Sequence, residues 1–76
     1  MITLDEVIPI VVKALDVNKD SVNENTEMDD LLEWDSLGHL TILAALDEEL
    51  GSKYNESENL AMATSIKDIV KALNTE

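Results

Sequence analysis

Apolar residues recur at a spacing of three and four in three stretches of this chain, and nowhere do they alternate with polar ones long enough to make a strand. That pattern confines the chain to helices packed on one another. In the first stretch Leu4, Val7, Ile8, Val11, Val12 and Leu15 form one stripe. Thr3-Leu4-Asp5-Glu6 reads as a capping box, in which the Thr3 hydroxyl and the Glu6 carboxylate each serve a free backbone N–H. Pro9 falls beyond the first turn, where it removes a hydrogen bond and crowds the turn before it. The expectation is a helix kinked at Pro9; the alternative is a regular helix that starts only near Ile8. The last stretch, capped by Thr64 or Ser65, lines one face with Ile66, Ile69, Val70 and Leu73. One more helical turn is expected around Ser57 to Ala61.

The middle stretch, Ser36 to Leu50, ends at Gly51, a residue suited to a left-handed C-terminal cap. It is apolar on two sides. At ~100° per residue, Ile42, Leu43, Leu46 and Leu50 share one side, with His39 toward it. Leu37, Leu40 and Ala44 share another side with Ser36, and Asp47 and Glu48 border it. A helix in so small a bundle cannot bury its whole circumference. Either Leu37 and Leu40 pack under the preceding connection, or the second stripe is a docking surface of apolar anchors ringed by carboxylates. Leu37 inward and Leu40 outward would combine the two.

Residues 16–35 form a long polar connection, which in a compact domain carries function or a short helical turn. Val17, Val22, Met28, Leu31 and Leu32 are placed to pin it to the core. The expected architecture is an all-α four-helix bundle, three principal helices plus one short helix, in a single domain spanning 1–76. With 76 residues, such a domain buries only ~60–65% of the surface its unfolded chain exposes.

Charge and composition remove several classes of function. Seventeen acidic residues against five basic ones give a net charge of −12, which repels nucleic acid and anionic membranes and attracts basic protein patches. The two aromatic residues, Trp34 and Tyr54, are too few for base or sugar stacking. One histidine and no cysteine exclude a transition-metal site. No apolar run approaches the ~20 residues of a membrane span, so the expectation is a soluble, untargeted, cytoplasmic protein.

Asp35-Ser36-Leu37 opens the middle helix directly after the acidic connection. The stretch Trp34-Asp35-Ser36-Leu37-Gly38-His39-Leu40, continuing through Ile42-Leu43-Ala44-Ala45-Leu46-Asp47-Glu48-Glu49-Leu50, resembles the signature region of acyl carrier proteins. The resemblance spans the chain: its length, its acidity, Asp30-Leu31 shortly before the signature, and the last helix opened by Thr64-Ser65-Ile66. It implies an acyl-carrier-like bundle with 4'-phosphopantetheine joined to the Ser36 hydroxyl by a phosphopantetheinyl transferase, with Asp35 capping the helix and presenting the serine. It implies further that an acyl or aminoacyl group rides on the arm as a thioester, between enzymes whose basic patches meet Leu37, Leu40, Ala44, Asp47 and Glu48. Such a carrier is not itself an enzyme, and a shuttle with one working face is expected to be a monomer. An acyl cargo could lodge between the helices, with Leu46 and Ile69 as walls. Two residues depart from carriers of fatty acid biosynthesis, which commonly have a small residue at Trp34 and an acid at Gly38. This chain is closer to carriers of specialised pathways than to those of general lipid metabolism.

Two other readings use the same residues. Asp16, Asn18, Asp20, Glu24 and Glu27 fall at positions 1, 3, 5, 9 and 12 of an EF-hand-like calcium loop over 16–27, although Ser21 stands where the turn needs glycine. A plain acidic interaction domain would leave Ser36 as an unmodified helix cap. An enzyme is the weakest reading, since no carboxylate pair is set in contrasting environments.

Overall fold

The structure, a computed structural model, describes residues 2–51 and 58–75. Four helices follow in chain order: α1 (Leu4–Leu15), α2 (Ser36–Leu50), α3 (Glu58–Ala61) and α4 (Ile66–Thr75). α1 packs against α2 and α4, and α3 packs against α2 and α4. Among the described residues the only extended pairing is one antiparallel bridge, Glu27 with Ser65.

α1 buries Val7, Val11 and Leu15, with Leu4, Ile8 and Val12 partly covered beside them. The helix runs unbroken through Pro9 from Leu4, so a start near Ile8 is excluded. Pro9 is tolerated because it lies on the exposed side, where the Asp5 carbonyl it leaves without a partner faces water. The capping box does not form: Thr3 is the N-cap, but its side chain makes no capping bond. Instead, Asn74 clamps Ile2 at both backbone groups, accepting from its N–H at 2.9 Å and donating to its carbonyl at 2.8 Å. That clamp sets the direction in which the chain reaches α1. At the other end Asp16 is left-handed, with φ 53°, and the Asp16 and Val17 N–H groups bond the Lys13 and Val12 carbonyls. This closure usually employs glycine, and aspartate is among the few other residues that accept the conformation.

The connection to α2 is ordered by its own polar groups. Its two short 3-10 turns are Lys19–Ser21 and Met28–Asp30. Asn18 caps the first by accepting from the Asp20 N–H, and Asp30 braces the second by accepting from the Glu27 N–H. Two backbone bonds, Met28 N–H to the Thr64 carbonyl and Ile66 N–H to the Thr26 carbonyl, stitch the connection to the start of α4. Val22 is buried, and Val17, Met28 and Leu31 are partly so. Leu32 is not a pin; it is 96% exposed.

Ser65 rather than Thr64 caps α4, its hydroxyl accepting from the Asp68 N–H at 3.1 Å. Ile66, Ile69 and Leu73 are buried, with Val70 partly covered. α3 is the short helix expected around Ser57 to Ala61; Ser57 itself lies outside the described residues. Gly51 ends α2 as expected, but at φ 108° and ψ 149°, an extended conformation essentially confined to glycine rather than the left-handed helical one.

Candidate functional site at the start of the second helix

Asp35 is the N-cap of α2, and its Oδ1 accepts from the Gly38 N–H at 2.8 Å. Ser36 is therefore not the capping residue. It is the first helical residue, exposed, with its hydroxyl free of the bond that would tie a capping serine to the backbone. The Gly38 and His39 N–H groups are taken up by Asp35, whereas those of Ser36 and Leu37 have no partner among the described residues. An exposed hydroxyl thus sits where unpaired N–H groups and the helix dipole favour an anion.

Behind the serine the structure is closed. Trp34 is 1% exposed, and its indole Nε1–H donates to His39 Nδ1 at 3.0 Å. The two rings are nearly parallel, at 15° with centroids 6.1 Å apart. Because an indole nitrogen can only donate, Nδ1 must accept and Nε2 carries the proton. Nε2 lies 2.8 Å from the Leu60 carbonyl and donates to it. His39 is thus a buried link from the connection through α2 to α3. Both of its nitrogens are engaged, so it is not available to take a proton from Ser36.

Gly38 belongs to the same arrangement. A Cβ at this position would stand 2.1 Å from the Glu33 carbonyl oxygen and 3.1 Å from a Leu15 methyl. Burying Trp34 draws the Glu33 backbone over the first turn of α2, and only glycine leaves room for it.

The outer face of α2 is open. Leu37 is 74% and Leu40 61% exposed, with Ala44 and Glu48 exposed and Asp47 half-buried along the same side. Neither leucine packs under the connection, so the inward placement of Leu37 is corrected. The Glu33 backbone occupies the space beside the first turn, and the connection turns its Trp34 inward instead. The Asp47 Oδ1 is inaccessible and has no hydrogen-bond partner among the described residues. A shallow cleft of about 290 Å³ adjoins the serine, lined by Met28, Ser36, His39, Leu40, Leu43 and Ala61.

The acids of the 16–27 loop do not converge. Among the described residues no group of three or more carboxylate or imidazole side chains is arranged to hold a metal ion. Asn18 is spent on its cap, and Glu27 is paired through its backbone with Ser65. Nothing in the structure favours the calcium reading.

The sequence left the roles of Trp34 and His39 open. A signal was present: a lone tryptophan and a lone histidine five residues apart around a glycine, the histidine on the apolar side of its helix.

A family model described as the phosphopantetheine attachment site matches residues 5–73. Comparison with curated proteins and with solved structures gave no match. The match takes in α2 and α3 whole and all but the outermost residues of α1 and α4, and the group that this family carries covalently is 4'-phosphopantetheine. The chain belongs to the phosphopantetheine attachment family.

Proposed function

We propose that Ser36 bears the phosphopantetheine arm and that the protein carries acyl or aminoacyl groups between partner enzymes. The observation that carries this reading is the exposed Ser36 hydroxyl at the first position of α2, left free because Asp35 takes the capping role. The surroundings fit the group: two unpaired backbone N–H groups and the positive end of a fifteen-residue helix face the anion that a phosphodiester would bring. When attached, the arm supplies a terminal thiol on which cargo is held as a thioester. The chain's own residues position and present; among the described residues none is arranged as a base toward Ser36, and the transfer chemistry belongs to the transferase.

Leu37, Leu40 and Ala44 are the proposed anchors for that transferase and for loading and accepting enzymes. Glu48 and Asp47 meet basic residues at the edge of the contact. The early part of α2 is poor in carboxylates because Gly38 cannot be an acid here without moving Glu33. A partner that depends on an acid there binds this carrier poorly, which supports a specialised pathway over general fatty acid synthesis. No helix among the described residues is long and apolar enough to cross a membrane.

Intact mass tests the proposal. The purified protein is incubated with coenzyme A, magnesium and a broad-specificity phosphopantetheinyl transferase, beside the Ser36→Ala variant. A gain of one phosphopantetheine unit in the parent and none in the variant is the expected result. No gain, under conditions that modify another carrier, reduces Ser36 to an ordinary first-turn residue of an acidic interaction domain.

A further inference from the structure

The cleft beside Ser36 adjoins the hydrophobic core, since Met28 and Leu43 in its wall pack against that core. Its walls are Leu40 and Leu43 of α2 and Ala61 of α3, with Met28 from the connection, and His39 lies in it between the two helices. A cargo that enters the core through this cleft parts α2 from α3. Beyond His39 lie Ile42, Leu46, Leu60 and Ile69, all between 0% and 1% exposed.

His39 joins the two sides. Its Nε2–H holds the Leu60 carbonyl on α3 at 2.8 Å, and its Nδ1 holds the Trp34 indole N–H at 3.0 Å. Parting the helices breaks the first bond and, once the ring moves, the second. The indole of Trp34 is 1% exposed, so an alkyl chain taking the place of the imidazole would strand a buried donor that it cannot satisfy. An apolar cargo therefore gains less from entering this core than from entering one closed by side-chain packing alone.

We propose that the Trp34–His39–Leu60 relay is a bolt that keeps cargo out of the bundle, so that this carrier transports short or polar acyl groups held outside the core rather than long alkyl chains. His39 is then a specificity-determining residue whose ring nitrogens bond Trp34 and Leu60 rather than the serine. The proposal rests on the carrier reading and names the cargo class for it. It also reverses the expectation that Leu46 and Ile69 wall a cargo cavity.

The test loads Ser36 with pantetheine arms bearing acetyl, octanoyl or myristoyl groups in a hydrolysis-resistant linkage. Loading is checked by intact mass, and thermal midpoints and the methyl shifts of Leu46 and Ile69 are then measured. In the parent protein the midpoint is expected to be flat across the three arms, with both sets of methyl shifts unmoved. In His39→Ala it is expected to climb with chain length by roughly 4–8 °C, the response of so small a domain to a modest added stabilisation. Trp34→Phe, which removes the N–H donor together with part of the buried ring but keeps the His39–Leu60 bond, is run beside it in case His39→Ala does not fold. A parent midpoint that climbs with chain length, or parent core shifts that move, overturns the bolt. A flat response in a folded variant overturns it too, since closure would then be due to packing alone. Failure of the mass to rise is a failure of the carrier reading and is separately visible. In that event Ser36→Cys, the only cysteine in the chain, is alkylated with the same series of chains and read in the same way.

Discussion

The two faces of α2 have been built in opposite ways from similar material. The inner face buries Ile42 and Leu46 completely, yet it also buries a histidine. The outer face exposes two leucines and an alanine. Burial on this helix therefore does not follow hydrophobicity residue by residue. It follows which neighbour is present: α1, α3 and Trp34 on one side, and on the other no described element that covers Leu37, Leu40 or Ala44. A polar residue on the covered side is accepted because both its nitrogens find partners, and apolar residues on the uncovered side remain available to a partner.

The hardest way to break the contrast is to hollow out the inner face. Leu46→Ala or Ile42→Ala removes most of a fully buried side chain and is expected to cost about 2–5 kcal/mol. In a domain of this size that approaches the whole of its stability, so urea unfolding should find the variants largely unfolded or with a much reduced midpoint. A loss under 1 kcal/mol would mean that this face is less tightly packed than its zero exposure indicates.

Gly38 is the next most sensitive position, and here two effects compete. Gly38→Ala gains about 1 kcal/mol of helix propensity. It also places a Cβ 2.1 Å from a backbone carbonyl, which cannot move aside as a flexible side chain could. Overpacking of this kind costs about 1–3 kcal/mol, and displacing the Glu33 backbone also disturbs the Trp34 bond, so net destabilisation is expected. Because Trp34 is the sole tryptophan, its fluorescence reports the event directly. Gly38→Ala, and more strongly Gly38→Glu, should shift the emission to the red as the indole meets water. Unchanged emission with raised stability would show that the first turn of α2 accepts a side chain after all.

Asp35 and Ser36 differ by one position and should differ in kind. Asp35→Ala removes the cap and is expected to cost about 1 kcal/mol in thermal unfolding. Ser36→Ala touches no bond that the fold uses and should change stability by less than about 0.5 kcal/mol, while abolishing modification altogether. Equal losses of stability would mean that the serine shares the capping work.

Legibility from the sequence divides along the same line as the two faces. The helices could be read because their apolar spacing is local: Val7, Val11 and Leu15, or Ile66, Ile69 and Leu73, declare a buried side before anything is known of their neighbours. The ends of α2 were equally plain in Asp35, Ser36 and Gly51. What could not be read depended on contacts between distant segments. Asn74 reaches across from α4 to clamp Ile2, while the capping box expected at Thr3 does not form, and Asp16 closed α1 where no glycine announced an end. Leu32 and Trp34 are both apolar residues of one connection, yet one points out and the other in. That choice is made by His39 and by the space over Gly38. In the sequence Gly38 showed only as an acid that was missing; its steric role appears once Glu33 lies over it.

The smallest expected change in stability tests the outer face most sharply. Leu37→Ser and Leu40→Ser replace side chains that are 74% and 61% exposed, so each should alter unfolding free energy by less than about 0.5 kcal/mol. If these leucines anchor partners, each variant should lower the kcat/KM of the phosphopantetheinyl transferase by roughly tenfold, or about 1.4 kcal/mol. Glu48→Gln should act mainly on association, with an effect that fades as salt is raised. Stability and transfer are thus expected to separate on this face, whereas on the inner face a change in one drags the other with it. Should Leu37→Ser and Leu40→Ser leave transfer untouched, the transferase reads the serine and the helix start alone. The open stripe would then serve the loading or accepting enzymes, where the same two variants can be assayed for the loss.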